Sequence, residues 1–194
     1  MSEVQLVLAS RSPRRRELLD QIGICYRVAT ADIDETSRVG ESAEKLVKRL
    51  AQEKAEAIWN NSDKTLPVLG ADTLGQLDGQ LLVKPEDYDD ARRMLREMAG
   101  RQHEILSAVA LYSDSGCQVC LNRSHVWFRA IKDSEIEAYW AMGEPCDKAG
   151  AYAIQGYGAM FVERMEGSYS AVMGLPLFET ATMLAAIGIH PLEK

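Results

Sequence analysis

Residues 4–16 read VQLVLASRSPRRR, and this stretch decides the fold because it joins an apolar run directly to the start of a helix. The run of residues 4–9 predicts a buried strand. Pro13 suits the first turn of a helix and Ser12 is a typical N-cap, so a helix is expected over residues 13–21. A strand that passes at once into a helix is typical of an α/β protein.

The rest of the chain continues this mixture of strands and helices. Further strands are predicted over residues 25–30, 66–77, 102–113, 117–130 and near 160–165. Further helices are predicted over residues 43–59, 87–98, 133–142 and 176–187. Gly70 is expected to interrupt its strand, and Asp133 or Ser134 to cap its helix. We expect an α/β fold with a mixed twisted sheet flanked by helices, in a single domain over residues 1–194 with two lobes and a central cleft.

Composition narrows the class of protein. The net charge of −7 argues against DNA, RNA or an anionic membrane as the main partner. No apolar stretch approaches the roughly 18 residues of a membrane-spanning helix, and the first residues do not resemble a signal peptide. The four cysteines lack the spacing of a zinc site and suit a reducing compartment. We therefore expect a cytoplasmic protein with a small-molecule partner.

A local basic cluster runs against this acidic average. Four of the 22 basic residues fall within the six positions 11–16. A helix N-terminus offers free backbone N–H groups and a positive dipole end, and the hydroxyl of Ser10 with the guanidinium groups of Arg14 and Arg15 would complete a phosphate site. The alternative is a solvated basic helix start. Cations at this end of a helix interact unfavourably with its dipole, and that alternative does not explain why this free-energy cost is tolerated.

Two charged residues fall inside apolar patterns. Lys54 lies on the apolar stripe of the predicted helix over residues 43–59, where it needs a partner or a cleft, unless its ammonium reaches water at the end of the stripe. Asp72 lies in the strand sequence LGADTL, and a carboxylate there is costly to bury unpaired. It fits a metal ligand or a general base, or alternatively a structural aspartate that caps a turn.

Three further positions are weaker on their own. The acidic residues 32–35 include Glu35, a second carboxylate for Mg²⁺ or Mn²⁺, although acidic loops are usually just solvated. Lys84 precedes a proline, and a lysine in a rigid turn can face a phosphate. Gln155 carries a donor and an acceptor that match the adjacent N–H and C=O of uracil or thymine, although a structural glycine turn explains its segment equally well.

In their order along the chain, these segments resemble the Maf family of nucleoside triphosphate pyrophosphatases. Each matching piece is short, but the ordered set is specific and spans nearly the whole chain. The pieces are ASRSPRR (9–15), DE (34–35), AQEKA (51–55), GADT (70–73), KP (84–85), DKAG (147–150), IQG (154–156) and VMGLP (172–176).

The resemblance implies an α/β fold like that of inosine triphosphatases, often as a homodimer. It implies hydrolysis of a nucleoside triphosphate to the monophosphate and pyrophosphate with Mg²⁺ or Mn²⁺. Asp72 is similar to the family's catalytic aspartate. Arg14, Thr73 and Gln155 match the positions that set base preference, and their residue types resemble the branch that prefers dTTP and UTP.

The resulting hypothesis assigns a role to each group. Glu35 and Asp72 hold a metal or the attacking water, and Asp72 is the base for attack at the α-phosphorus. The triphosphate is held by Ser10, Arg14, Arg15, Lys54 and Lys84. One rival, suggested by the family name, is a nucleotide-binding regulator of septum formation with little turnover. A nucleotidyltransferase is a further rival, but the sequence shows no separate acceptor-binding module.

Overall fold

The computed structural model describes residues 3–30 and 32–192, in which seven strands form one sheet. The strands are β1 (Leu6–Ala9), β2 (Tyr26–Ala29), β3 (Val68–Leu77), β4 (Gln80–Leu82), β5 (Gln102–Ser113), β6 (Gly116–Phe128) and β7 (Val162–Glu166). The helices are α1 (Pro13–Gln21), α2 (Ala43–Asn60), α3 (Tyr88–Met98), α4 (Asp133–Ala141), α5 (Tyr169–Met173) and α6 (Leu177–Ala185). Three short 3₁₀ turns lie between α4 and β7. None of the helices in the described ranges is long and apolar enough to cross a membrane.

The sheet is mixed, which confirms the predicted fold class. Its strand order is β2-β1-β3-β5-β6-β7, with β4 paired to β3. Strand β1 is parallel to both β2 and β3, and the remaining pairs are antiparallel. Leu8 pairs with Leu69, so β3 continues past the end of β1 and carries Asp72 beyond it. The loop that follows β1 and the side chain of Asp72 therefore meet at the same edge of the sheet.

Alternate residues of β1 serve two hydrophobic layers on opposite faces of the sheet. Leu6 and Leu8 pack with residues of α1 and α6, whereas Val7 packs with residues of α2. A third buried cluster lies under α3 and α4, with Phe128 among its largest side chains. These layers leave a cleft at the carboxyl end of β1, beside the middle of β3, where the charged residues gather.

Gly70 does not interrupt β3, contrary to the sequence prediction; it allows α2 to pack directly on the strand. The strand is continuous from Val68 to Leu77. A Cβ atom built on Gly70 would overlap the carbonyl oxygen of Ala51 and would lie 2.8 Å from the backbone nitrogen of Ala55. Only a residue without a side chain permits this approach, which brings the last turns of α2 against β3.

Two other local predictions were wrong. Lys132, not Asp133 or Ser134, is the N-cap of α4, because Asp133 pairs with Arg92 and Arg96 and its carboxylate is engaged there. The backbone N–H of Lys132 is instead bound by Glu135 in a capping-box contact. Helix α5 was not predicted, because its five residues are too few to show a helical period.

We expect Gly70→Ala to destabilise the protein by about 1–3 kcal/mol, because two of the three atoms that the new methyl meets are backbone atoms that cannot rotate away. Denaturant unfolding measures the loss. The control is Gly79→Ala, where a methyl meets nothing within 4 Å and the cost comes only from a φ of +79°. A Gly70→Ala variant as stable as the wild type would contradict the packing described for α2.

Candidate active site

Two adjoining cavities open at the carboxyl end of β1, beside the middle of β3, and they share Ser12, Arg15 and Lys84. The first, called here the Lys54 cavity, has a volume of about 350 Å³, and the second, the Gln155 cavity, about 200 Å³. Joined, they fall within the roughly 300–1,000 Å³ usual for pockets that bind small molecules. The sequence-based prediction of a central cleft is confirmed in this region.

The Lys54 cavity is positively charged although the chain is acidic overall. Its charged lining residues are Arg11, Arg15, Lys54, Lys84, Asp32 and Glu35, so cations outnumber acids by two. The Gln155 cavity is lined by Arg14, Arg15, Lys84 and Lys148 against a single acid, Asp147. A cleft lined by an excess of one charge sign concentrates ligands of the opposite sign. Both cavities therefore favour an anionic ligand.

The basic segment forms a turn at the start of α1, as its sequence predicted. Ser12 is the N-cap by backbone conformation, but its side chain makes no capping hydrogen bond, and the first turn of α1 contains no acidic residue. The hydroxyl of Ser10 accepts hydrogen bonds from the backbone N–H of Ser12 (3.2 Å) and from Nη1 of Arg15 (3.1 Å). The helix N-terminus thus keeps its positive end directed at the cleft.

Arg15 braces the cleft as well as lining it. Its Nε donates to the carbonyl of Gly174 at 2.8 Å, which ties α1 to the turn between α5 and α6. Burial lowers the pKa of Arg15, opposed mainly by the charge of Asp72. A guanidinium has so high an intrinsic pKa that Arg15 stays protonated, so it brings a fixed positive charge to both cavities.

Lys54 and Asp72 form a buried ion pair, and the alternative that Lys54 merely reaches water at the end of its helix is wrong. The two side chains are 15% and 9% exposed, and Nζ of Lys54 lies 2.6 Å from Oδ1 of Asp72. Oε1 of Glu35 contacts the same ammonium at 2.8 Å. Asp72 lies in the middle of β3, which excludes the turn-capping alternative. Packing of α2 against Gly70 makes the pair geometrically feasible.

Only one of the two oxygen atoms of the Asp72 carboxylate accepts a hydrogen bond in this pair. Its Oδ2 atom is buried without a hydrogen-bond partner among the described residues. Burial raises the pKa of Asp72 above its ordinary value, and the charges of Lys54 and Arg15 oppose that rise. A carboxylate with a raised pKa and a free oxygen is suited to accept a proton. Asp72 itself lines neither cavity, but it adjoins both, since its neighbour Thr73 lines the Gln155 cavity and its partner Lys54 lines the Lys54 cavity.

The Gln155 cavity brings together the three residues that were expected to set base preference. Arg14, Thr73 and Gln155 all line it, whereas none of them lines the Lys54 cavity. The hydroxyl of Thr73 is 2.8 Å from that of Ser107 on β5, which fixes its orientation. Gln155 is exposed in a loop, with its amide free to meet a ligand. Arg14 therefore lies with Thr73 and Gln155 and not with Lys54.

A divalent metal would have to be held by few protein ligands. Across residues 3–30 and 32–192 there is no group of three or more acidic, histidine or cysteine side chains that could hold a metal ion. Asp72 and Glu35 do converge on one ammonium, and Oδ2 of Asp72 lacks a partner. Mg²⁺ is usually bound through one or two carboxylates together with substrate phosphates and water, so this pair fits such an ion.

Sequence reasoning missed several lining residues. Arg11 and Asp32 form a 2.8 Å ion pair on the wall of the Lys54 cavity, and Lys148 lines the Gln155 cavity beside Asp147. The sequence of Lys148, flanked by small residues, carried a signal that was given no role. Arg11 and Asp32 are far apart in the chain, and no local pattern indicates that they pair.

Fold and site together define an α/β protein with an anion-binding cleft and a buried, half-satisfied carboxylate between two cavities. The family model of the Maf-like proteins matches residues 5–187, and the chain belongs to this family. A dTTP/UTP pyrophosphatase of Hahella chejuensis is 50% identical over 187 residues, covering 95% of this chain and 93% of the relative. A dTTP/UTP pyrophosphatase of Chromobacterium violaceum is 49% identical over 193 residues, covering 97% and 98%.

Similarity to solved structures is weaker. A nucleoside-triphosphatase of Mycobacterium abscessus, a dITP/XTP pyrophosphatase, aligns with 94% of this chain and 94% of its own, at 17% identity and a TM-score of 0.43. A TM-score this low adds nothing to the fold assignment, which rests on the strand order and the family match.

The raised pKa of Asp72 predicts a pH dependence of stability. Below the ordinary pKa of an aspartate the folded and unfolded chains both hold the proton; as the pH rises through the raised pKa, the folded chain must ionise a buried group and loses stability. We therefore expect the Tm of the wild type to fall relative to that of Asp72→Asn as the pH rises above about 4. Thermal unfolding from pH 2 to 8 measures this difference.

Asp133→Asn is the matched control, with the opposite sign. The hydrogen bond from Arg96 holds the pKa of Asp133 at about 2, so the stability from this ion pair is lost as the pH falls towards that value. The Tm of the wild type should rise relative to that of Asp133→Asn between about pH 2 and 4. Equal pH slopes for the two variants would show that Asp72 is not a buried carboxylate with a raised pKa.

Proposed function

We propose that this protein is a nucleoside triphosphate pyrophosphatase that hydrolyses dTTP and UTP to the monophosphate and pyrophosphate. The observation that carries the proposal is the buried Asp72 carboxylate between a cationic cavity and the cavity lined by Arg14, Thr73 and Gln155. Relatives that are 49% and 50% identical over nearly the whole chain carry the name dTTP/UTP pyrophosphatase. Modified pyrimidine nucleotides are further candidate substrates.

The triphosphate is assigned to the Lys54 cavity. Ser10, Lys54 and the shared residues Arg15 and Lys84 line it and supply hydrogen-bond donors or positive charge. The N-terminus of α1 adds backbone N–H groups on the same side. Arg14 was expected to bind phosphate as well as base; its place in the Gln155 cavity supports the second role, and we retain the first for a phosphate that reaches the junction of the cavities.

The reaction proceeds by attack of water on the α-phosphorus. A bond forms between the water oxygen and this phosphorus, the bond to the bridging oxygen of the β-phosphate breaks, and pyrophosphate leaves. Asp72 accepts the proton of the water, with the unpartnered Oδ2 as the receiving atom. The cations of Arg15, Lys54 and Lys84 stabilise the charge that develops on the leaving pyrophosphate.

A divalent cation, Mg²⁺ or Mn²⁺, would be held by Glu35 and Asp72 with oxygens of the substrate. When bound, it would neutralise charge on the phosphates. Lys54 contacts both carboxylates in this structure, so an ion held between them would require its ammonium to move. Lys54 lines the cavity and would then be available to bind a phosphate oxygen.

The pyrimidine base is assigned to the Gln155 cavity. The amide of Gln155 offers one donor and one acceptor, which match the adjacent C=O and N–H of uracil or thymine. Apolar side chains of Ile105, Val172 and Met173 line the same cavity and would cover the ring. A mismatched base would leave the polar groups of the Gln155 amide without hydrogen-bond partners, and this free-energy cost would select against it. A homodimer and a cytoplasmic location remain predictions from the sequence and the resemblance.

We expect Asp72→Asn to lower kcat for dTTP by about 10²–10⁴-fold, because the amide cannot accept the proton of the attacking water. The assay measures release of dTMP and pyrophosphate with Mg²⁺ and with Mn²⁺. Asp133→Asn, an exposed aspartate paired with Arg96, should keep the wild-type rate. Tight dTTP binding with no turnover by the wild type would favour a nucleotide-binding regulator over an enzyme, and full activity of Asp72→Asn would exclude Asp72 as the base.

We expect Gln155→Leu to raise KM for dTTP and UTP by about tenfold with a smaller change in kcat, since the lost hydrogen bonds go to the base and not to the reacting phosphorus. The control is Gln118→Leu, an exposed glutamine on β6 that lines neither cavity. Steady-state kinetics with dTTP, UTP and CTP give both parameters. Unchanged KM values and base preference in Gln155→Leu would remove Gln155 from base recognition.

A further inference from the structure

The loop that carries Gln155 is fastened on both sides by two side chains from outside it. Residues 153–158 form this loop, here called the Gln155 loop. Tyr139 lies near the end of α4, and Glu144 begins the 3₁₀ turn that follows α4. Neither Tyr139 nor Glu144 lines the two cavities. Any effect of these two residues on the site must therefore pass through the loop.

Three hydrogen bonds connect these two side chains with the loop, and a fourth joins the two side chains to each other. The backbone N–H of Ala153 donates to the hydroxyl oxygen of Tyr139 at 3.2 Å, and that hydroxyl donates to Oε1 of Glu144 at 2.7 Å. On the other side of Gln155, the backbone N–H of Tyr157 donates to Oε2 of Glu144, and the N–H of Gly158 to Oε1, each at 3.0 Å. The network thus grips the backbone two residues before Gln155 and two and three residues after it.

The packing around Tyr139 and Gly156 restricts the geometry of this network. Tyr139 is 3% exposed, and its ring packs edge-on against Phe161 with the ring centroids 5.1 Å apart. Burial alone would raise the pKa of Glu144, but the hydrogen bonds from Tyr139 and the loop outweigh it and hold the pKa below its ordinary value, so the carboxylate remains an acceptor. A Cβ atom on Gly156 would overlap that carboxylate, so the glycine lets the loop close over Glu144.

We propose that Tyr139 and Glu144 are positioning residues for base selection, which hold the Gln155 loop so that the Gln155 amide meets the edge of the pyrimidine. This inference rests on the proposed pyrophosphatase function and on the base-binding role of Gln155. Tyr139 is buried and Glu144 is partly exposed, and their hydrogen bonds restrict the movement of the loop backbone on both sides of Gln155. An exposed glutamine on an unsupported loop would adapt to several bases, and a displacement of about 1 Å is enough to weaken recognition.

The test uses Tyr139→Phe and Glu144→Gln. The first removes the oxygen that joins Ala153 to Glu144. The second replaces one carboxylate oxygen, which accepts a loop N–H, with an amide nitrogen that cannot accept. The matched controls are Tyr88→Phe, whose ring packs against Trp140 in the same core, and Glu137→Gln, which is exposed on α4. Each variant is assayed with dTTP, UTP and CTP for kcat and KM, well below its own Tm.

We expect both variants to raise KM for dTTP and UTP by about tenfold and to lower the preference for dTTP over CTP, with kcat for dTTP within about twofold of the wild type. The controls should keep the wild-type values. A lower Tm with unchanged base preference would show a purely structural role and overturn the inference.

Gln155→Leu separates this inference from the proposed function. If Gln155→Leu loses base preference while Tyr139→Phe and Glu144→Gln keep it, the positioning role is wrong and the pyrophosphatase function stands. If the wild type releases no pyrophosphate from any nucleotide, the proposed function is wrong and the positioning role for base selection is wrong with it.

Discussion

The site depends on the close packing of α2 against β3 at Gly70. A methyl group there would overlap the backbone of α2, so any other residue would move the helix outward. With the helix in place, Lys54 reaches the Asp72 carboxylate at 2.6 Å and meets Glu35 in the same position. Gly70 thus determines how closely Lys54 on α2 approaches Asp72 on β3.

The Lys54–Asp72 ion pair is poor evidence for a stabilising device. Removing two charges from water costs much of what their attraction returns, and Oδ2 of Asp72 is left without a partner among the described residues. An apolar pair of similar size would hold α2 on β3 at least as well. A buried carboxylate with a raised pKa, next to a cationic cavity, is instead typical of a site that performs proton transfer.

The two cavities differ in the groups that they offer to a ligand: one offers mainly positive charge and the other offers directional hydrogen bonds. In the proposed function, the Lys54 cavity supplies cations that would bind any triphosphate and carry little information about the base. The Gln155 cavity supplies directional hydrogen-bond groups, and these discriminate only if the backbone behind them is held still. Arg15 links the two cavities through Ser10 and Gly174, and the contacts of Tyr139 and Glu144 hold the loop on the far side. In both cavities, hydrogen bonds to neighbouring elements therefore hold the lining segments in place.

Local sequence patterns predicted the pieces of this site, but not the contacts between them. Ser12 and Pro13 mark the start of α1 through rules that involve only neighbouring residues, and helical periodicity placed Lys54 on the inward face. The partner of Lys54 could not be predicted in this way, because Asp72 lies 18 residues further on and the contact requires the glycine at position 70. Gly70 itself was misread as a break in the strand, since its effect depends on a helix packed from outside.

The Gln155 loop illustrates the same limit. Its glycines and its glutamine are visible in the sequence, but its hydrogen bonds to Tyr139 and Glu144 join residues 13–14 positions apart, in a region without regular periodicity. Helix α5 was missed for a related reason, since its stability comes from its contacts and not from its length. Features that depend on neighbouring residues could be predicted from the sequence. Features that depend on packing between distant segments could be seen only in the structure.

A crystal structure of the Asp72→Asn variant with dTTP and Mg²⁺ tests the central claim most directly. We expect the triphosphate in the Lys54 cavity, the thymine beside Gln155 in the other cavity, and the α-phosphorus at their junction next to position 72. A nucleotide bound in the reverse orientation, or with its α-phosphate away from position 72, would contradict the assignment of the two cavities and of Asp72 as the base.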